Sequence, residues 1–156
     1  MNQKQNFSQE TQFKLERYRY VLQQIKFVNE NIYRYITLFQ TLATAVIGGG
    51  VAVFVSWENN KIDAEIARVG IIGLLGLLTI LALFVVLSTI AGIFTWFDYR
   101  KEEAEMLDEI IQPGYRQKPK IKNFWRWYET YIILFLIIIW FAIYLFVTHK
   151  VLPLIS

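Results

Sequence analysis

Three stretches without a charged side chain constrain this chain more than any other feature of its sequence. They run from Tyr35 to Trp57, from Val69 to Phe97 and from Thr130 to Thr148. Each is close to the roughly 20 apolar residues that a helix needs to cross a bilayer. Hydrophobic residues make up 55% of the 156 residues, more than the core of a small soluble domain requires. We therefore predict an all-α integral membrane protein with three transmembrane helices.

The charged segments between these stretches complete the predicted organisation. A long cytoplasmic helix, capped by Ser8, should continue into the first transmembrane helix, because no Pro or Gly lies between Thr11 and Ile47. A cytoplasmic helical stalk should follow the second and end at Pro113 and Gly114. The predicted segments are a cytoplasmic amphipathic helix (1–34), transmembrane helix 1 (35–57), a periplasmic loop (58–68), transmembrane helix 2 (69–97), a cytoplasmic helix with a basic and aromatic interface segment (98–129), transmembrane helix 3 (130–148) and a periplasmic tail (149–156).

The distribution of Lys and Arg predicts the orientation. Six of the 16 precede the first span and seven lie between the second and third, whereas 58–68 has two and the tail only Lys150. Cytoplasmic flanks retain these residues, so we place the N-terminus and 98–129 in the cytoplasm and the C-terminus in the periplasm.

Aromatic residues mark the ends of the predicted spans: Trp57, Trp96, Trp125, Trp127 and Tyr128. Rings with an apolar body and a polar edge settle at the headgroup level, where neighbouring Lys and Arg reach the lipid. We predict a membrane-interface role for these five. The alternative for the basic and aromatic segment is a platform that binds a nucleotide.

A polar stripe follows the first predicted helix from the cytoplasm into the bilayer. At about 100° per residue, its members fall within roughly a third of the circumference, and apolar residues lie opposite. The polar set is Arg19, Gln23, Lys26, Glu30, Tyr33, Arg34, Thr37, Gln40, Thr41, Thr44 and Gly48. The apolar set is Val21, Ile25, Val28, Ile32, Tyr35, Phe39, Leu42 and Val46.

Polar groups at membrane depth face protein or water rather than lipid. Either they bond to neighbouring helices, or several copies surround an axis that these residues line. In the second case the pore-lining residues are Thr37, Gln40, Thr41, Thr44 and Gly48. The spans contain no ionisable Asp, Glu, Lys, Arg or His, which argues against a proton-driven carrier.

The remaining helices have supporting roles in this prediction. Small residues of the second span let helix backbones approach closely, and we assign helix packing to Gly70, Gly73, Ser88 and Gly92. The bulky third span is expected to face lipid. The acidic residues at 102–109 should form a solvated face that pairs with the basic first helix.

The sequence contains no residue pattern typical of a catalytic site. It has no cysteine, a single histidine, His149, at the outer edge of the third span, and neither a phosphate-binding loop nor a metal-ligand cluster. We predict a protein that is not an enzyme and holds no metal or cofactor.

The segment from Arg17 to Gly50, "RYRYVLQQIKFVNENIYRYITLFQTLATAVIGGG", resembles the opening of SLATT-like small bacterial membrane proteins. The resemblance implies a pore-forming effector of antiphage defence in the bacterial inner membrane. Such an effector is a homo-oligomer, for which we take a tetramer as the working assumption, opened by a nucleotide or oligonucleotide signal from a partner synthase. The third span departs from the two-helix pattern of that class.

A nucleotide signal would need Lys or Arg for its phosphates and aromatic faces for its bases. We expect these contacts on the first helix, at Arg17, Arg19, Lys26, Tyr33 and Arg34, and assign the second basic cluster, 116–128, to lipid. The alternative is that the first cluster pairs with the acidic stalk and headgroups. Two other functions also fit the sequence: a holin- or toxin-like lesion former without a ligand, and a structural membrane subunit of a larger complex.

Overall fold

Three long helices dominate the computed structural model, which describes residues 2–120, 122, 125 and 127–155, with side chains from Gln9 onward. Helix α1 spans Asn2–Glu58, α2 spans Ala64–Ile110 and α3 spans Tyr128–Phe146. A π-helical turn, Val147–Val151, and a 3-10 turn, Leu152–Leu154, follow α3. The fold is 88% helical, without strands in the described residues. The all-α prediction is confirmed, and three helices are long and apolar enough to cross a membrane.

Helix α1 is continuous, as the lack of Pro and Gly in its first part predicted. It begins ahead of Ser8, so the prediction that Ser8 caps it is wrong. Beyond α1, Asn60 adopts a left-handed φ of 54°, which Asn tolerates better than most residues, and its N–H donates to the Trp57 carbonyl at 2.9 Å. The non-helical turn comprises only 59–63, so both helices extend into the predicted 58–68 loop.

Helix α2 continues past the predicted second span, which confirms the helical continuation expected there. It ends at Ile110, three residues before Pro113, which has no N–H to extend the helix. The next residue, Gly114, has a φ of 77°, a conformation that only glycine adopts without strain. Its N–H donates to Asp108 Oδ1 at 2.9 Å, which ties the chain back to α2.

The first of two compact units contains Met1–Tyr33 and Ile90–Trp125. Its interior holds the first four residues of the predicted apolar set of α1, together with small or branched residues of α2. The buried apolar residues are Val21, Ile25, Val28, Ile32, Ile93, Ala104 and Leu107. A Cβ at Gly92 would lie 3.2 Å from Ile32 Cγ1, so glycine is what permits the helices to approach here.

The second unit contains Arg34–Thr89 and Arg126–Ser156. All three helices contribute to its core, which consists of Phe39, Ala43, Val46, Leu78, Ala82, Val85 and Leu136. The indole N–H of Trp140 on α3 donates to Thr79 Oγ1 on α2 at 3.0 Å. One face of α3 therefore packs on protein, and the expectation that the third span simply faces lipid is wrong for that face.

The buried side of α1 departs from the predicted set at one position. Leu42 is exposed, and Ala43 is buried in its place. A strict 3.5-residue repeat selects position 42, but a straight helix has 3.6 residues per turn and drifts by about 20° every seven residues. Over three seven-residue repeats the drift reaches about 60°, which brings Ala43 to the core in place of Leu42.

Candidate functional site

The polar face of α1, which we define as Thr37, Gln40, Thr41, Thr44 and Gly48, lies in the second unit and is exposed throughout. The buried residues of the same stretch, Phe39, Ala43 and Val46, lie on the other side of the helix. The polar face therefore points away from the core of its unit. It lies wholly within the charge-free stretch that was predicted to cross the membrane.

Local hydrogen bonds explain how threonine is accommodated on this face. Thr41 Oγ1 donates to the Thr37 carbonyl at 3.0 Å, and Thr44 Oγ1 donates to the Gln40 carbonyl at 2.8 Å. Both hydroxyl protons are thus bound within α1, and the hydroxyl oxygens keep acceptor capacity. The Gln40 amide makes no side-chain hydrogen bond in the described part of the chain. A Cβ at Gly48 would meet no atom within 4 Å.

The five predicted ligand residues do not share one environment. In the first unit, Arg17 bonds to Glu102, with Nη2 at 2.6 Å and Nε at 2.8 Å from Oε1. Its guanidinium also lies 5.2 Å from the centroid of the Tyr20 ring. Lys26 pairs with Glu30 at 3.7 Å on its own helix. The alternative stated from the sequence, pairing with the acidic helix, therefore describes Arg17.

Arg19 differs from Arg17 in its surroundings. Two residues along a helix correspond to about 200°, so these two side chains leave α1 on opposite sides. Arg19 is exposed and forms no ion pair in the described residues. Tyr33 is also exposed, at the end of the first unit, and the exposed Arg34 begins the second.

A buried carboxylate was missed by the sequence reasoning. Glu103 is 1% exposed and accepts from Arg100 Nη1 at 2.7 Å and from Arg116 Nη1 at 2.8 Å. The Arg100 guanidinium also lies 5.4 Å from the centroid of the Trp96 ring. The prediction of a solvated acidic face is wrong at Glu103, because two arginines satisfy its charge in the interior of the first unit.

The second basic cluster also has partners within the protein. Besides Arg116, Lys118 Nζ donates to Glu105 Oε1 at 3.0 Å. This hydrogen bond holds the pKa of Glu105, which lies outside the predicted 69–97 span, below its usual value. These two cations therefore have carboxylate partners within the protein, and their assignment to lipid headgroups stays a prediction. Arg126, from the same cluster, lies outside the described residues.

The predicted helix-packing residues divide into two groups. A Cβ at Gly70 would lie 3.5 Å from Val53 Cγ1, and Gly92 has the closer contact described above. Ser88 is half-buried. Gly73 is exposed, and a Cβ there would meet no atom within 4 Å.

The predicted interface aromatics are all at least partly exposed. Trp57, Trp96 and Trp127 are half-buried, and the Trp57 ring lies 5.5 Å from that of Phe54. Trp125 is 71% exposed and Tyr128 is 44% exposed. Partial exposure is compatible with contact to lipid headgroups, and the interface role stays a prediction for all five.

In the described residues, no group of three or more His, Cys, Asp or Glu could hold a metal ion. Comparisons with protein-family models, with curated proteins and with solved structures find no match. The class of protein that the fold defines is therefore an all-helical protein with three helices able to span a membrane. The exposed polar face of α1 is its candidate functional site.

Proposed function

We propose that several copies of this protein assemble around the polar face of α1 and form a channel in the bacterial inner membrane. One observation carries the proposal: five consecutive members of the polar stripe are exposed within a charge-free stretch. A polar side chain that faces hydrocarbon forfeits hydrogen bonds, whereas one that faces water or another copy keeps them. Assembly around a central axis removes the whole face from lipid at once.

The chemistry of the polar face suggests the kind of pathway. Thr41 and Thr44 offer hydroxyl oxygens, Gln40 offers an amide, and Gly48 adds no side chain. The oxygens of such a lining can interact with hydrated ions without selecting strongly by charge, since rings of Asp, Glu, Lys or Arg are absent from this face. Opening of the channel would dissipate the membrane potential.

We assign the control of opening to the first unit. The Lys and Arg distribution predicts that most of this unit, 1–33 and 98–125, is cytoplasmic, and the resemblance to SLATT-like effectors implies a nucleotide or oligonucleotide signal from a partner synthase in antiphage defence. Arg19 is the candidate phosphate contact, because it is exposed and forms no ion pair in the described residues. Arg17 and Lys26 already pair with carboxylates.

Single-cysteine variants test assembly, because the natural chain has no cysteine. We expect Thr41→Cys to be linked to a second copy by a short bifunctional thiol reagent in native membranes, since the polar faces would meet around the axis. Ile138→Cys, on the exposed side of α3, is the control and should stay unlinked. A protein that remains a monomer in detergent and in lipid would contradict the proposal.

The predicted orientation is tested with a membrane-impermeant thiol reagent added outside the cell. We expect Lys61→Cys to react and Tyr115→Cys not to react. The reverse result would overturn the predicted orientation.

Charge reversal at Arg19 tests the signal. We expect Arg19→Glu to abolish depolarisation in phage-infected cells, measured with a potential-sensitive dye, because a carboxylate repels a phosphate. Lys101→Glu is the control, because Lys101 is exposed on α2 and the change in net charge is the same. If Arg19→Glu cells depolarise normally, Arg19 does not contact the signal, and a lesion former without a ligand is favoured. Loss of Thr41→Cys cross-linking in the Arg19→Glu background would assign Arg19 to assembly instead.

A further inference from the structure

The second unit contains an apolar groove beside the turn that joins α1 to α2. Its volume is about 430 Å³, and α1, α2 and the segment around the end of α3 all contribute to its lining. Representative lining residues are Gly50, Phe54, Leu74, Phe146, Lys150 and Val151. This volume lies within the range of pockets that hold small organic molecules.

The groove combines hydrocarbon walls with one positive charge. Every lining residue except Lys150 is apolar. Lys150 is exposed and forms no ion pair in the described residues. A cavity lined by carbon does not hold ordered water, and an empty one loses dispersion contacts on its inner side. In a membrane, the molecule at hand to fill it is a lipid chain.

The length of the groove matches one leaflet. Its α1 lining runs from Val46 to Phe54, which at 1.5 Å per residue corresponds to about 12 Å. Half of a hydrocarbon core about 30 Å thick is about 15 Å. Phe54 lies one turn of helix before the end of α1 at Glu58, and Lys150 lines the same groove. Val151, the neighbour of Lys150, packs in the same cluster as Phe54 and Trp57, so the ammonium lies near that end, where a headgroup would be.

We propose that this groove binds one anionic phospholipid from the leaflet that meets the α1–α2 turn. The acyl chain lies along Gly50, Leu74 and Phe146, and the phosphate pairs with the Lys150 ammonium. A headgroup without an amine of its own is preferred, because a second ammonium would repel Lys150. The proposal requires insertion in a membrane but does not depend on a pore.

Lipid retention by the full-length protein in detergent, followed by native mass spectrometry, tests this site with phosphatidylglycerol and phosphatidylcholine as probes. The wild type should retain one phosphatidylglycerol. Lys150→Ala should lower its affinity for phosphatidylglycerol about fivefold, the contribution of one basic residue near an anionic headgroup, and leave phosphatidylcholine unchanged. Gly50→Leu should abolish retention of both lipids, because its side chain enters the groove where a Cβ meets no atom within 4 Å.

Gly76→Leu is the matched control. A Cβ at Gly76 also meets no atom within 4 Å, but Gly76 does not line the groove, so retention should equal that of the wild type. Equal retention by Gly50→Leu and Gly76→Leu would overturn the site, and so would an unchanged lipid preference in Lys150→Ala. If the wild type retains no lipid and Gly50→Leu changes the number of copies in the assembly, another copy of the chain fills the groove instead of a lipid. If the protein binds phosphatidylglycerol but is a monomer, the proposed pore is refuted and the proposed lipid site is not.

Discussion

Thr44→Leu is expected to reduce single-channel conductance in planar bilayers by on the order of tenfold, because a ring of Leu side chains dewets a narrow pathway. Thr44 is exposed in the middle of the polar face, and its hydroxyl donates to the Gln40 carbonyl. Leucine is a better helix former than threonine, so the helix itself should not suffer. Gln40→Leu should have the same effect, since it removes the amide from the same face.

Thr95→Leu provides a matched control for this prediction. Thr95 is exposed on α2 and makes the same local bond, from Oγ1 to the Ala91 carbonyl at 3.0 Å. The substitution thus removes the same hydroxyl and the same kind of helix-internal contact at a residue that is not part of the polar face. We expect wild-type conductance from Thr95→Leu. Equal losses in the two threonine variants, or none in Thr44→Leu, would show that the polar face does not line the pathway.

Glu103→Gln is expected to lower the free energy of unfolding by about 2 to 3 kcal/mol, because an amide leaves two arginines without a charged acceptor in a buried position. Glu103 is 1% exposed, whereas Arg100 and Arg116 are 26% and 45% exposed, so water compensates for part of the loss. The measurement is an unfolding titration with a denaturing detergent in mixed micelles, followed by circular dichroism.

Glu105→Gln is the control on the same helix. Glu105 also accepts from a cation of the following segment, Lys118, but both side chains are about half exposed. Exposed ion pairs contribute little, so the substitution should leave the unfolding midpoint almost unchanged. If Glu103→Gln and Glu105→Gln have the same unfolding midpoint, the buried Glu103 carboxylate does not stabilise the first unit.

The three long helices could be predicted from the sequence because their signals are local. Charge-free stretches of sufficient length, and apolar residues that recur every three or four positions, depend only on neighbouring residues. The exposure of Thr37, Gln40 and Thr41 could be inferred in the same way, since the opposite side of α1 is more apolar. Even here, the small difference between 3.5 and 3.6 residues per turn exchanged Leu42 for Ala43.

The burial of Glu103 could not be read from the same patterns. Its partner Arg116 lies 13 residues further on, beyond the end of α2, and no helical spacing relates the two. The groove beside Lys150 is equally non-local, because three separate parts of the second unit form it. The opposite directions of Arg17 and Arg19, in contrast, follow from helix geometry alone. Grouping them as one ligand cluster overlooked that local signal.

The short turn between α1 and α2 has a consequence for biosynthesis. With only residues 59–63 outside the helices, we expect the parts of α1 and α2 in the second unit to enter the membrane as a helical hairpin before α3 has been translated. Thr79 would then lie in the bilayer without Trp140, but its hydroxyl already donates to the Leu75 carbonyl at 2.8 Å. The later bond from Trp140 uses only the acceptor side of that oxygen. The Thr79 hydroxyl proton would therefore keep its hydrogen bond in the nascent hairpin during the time before α3 packs against it.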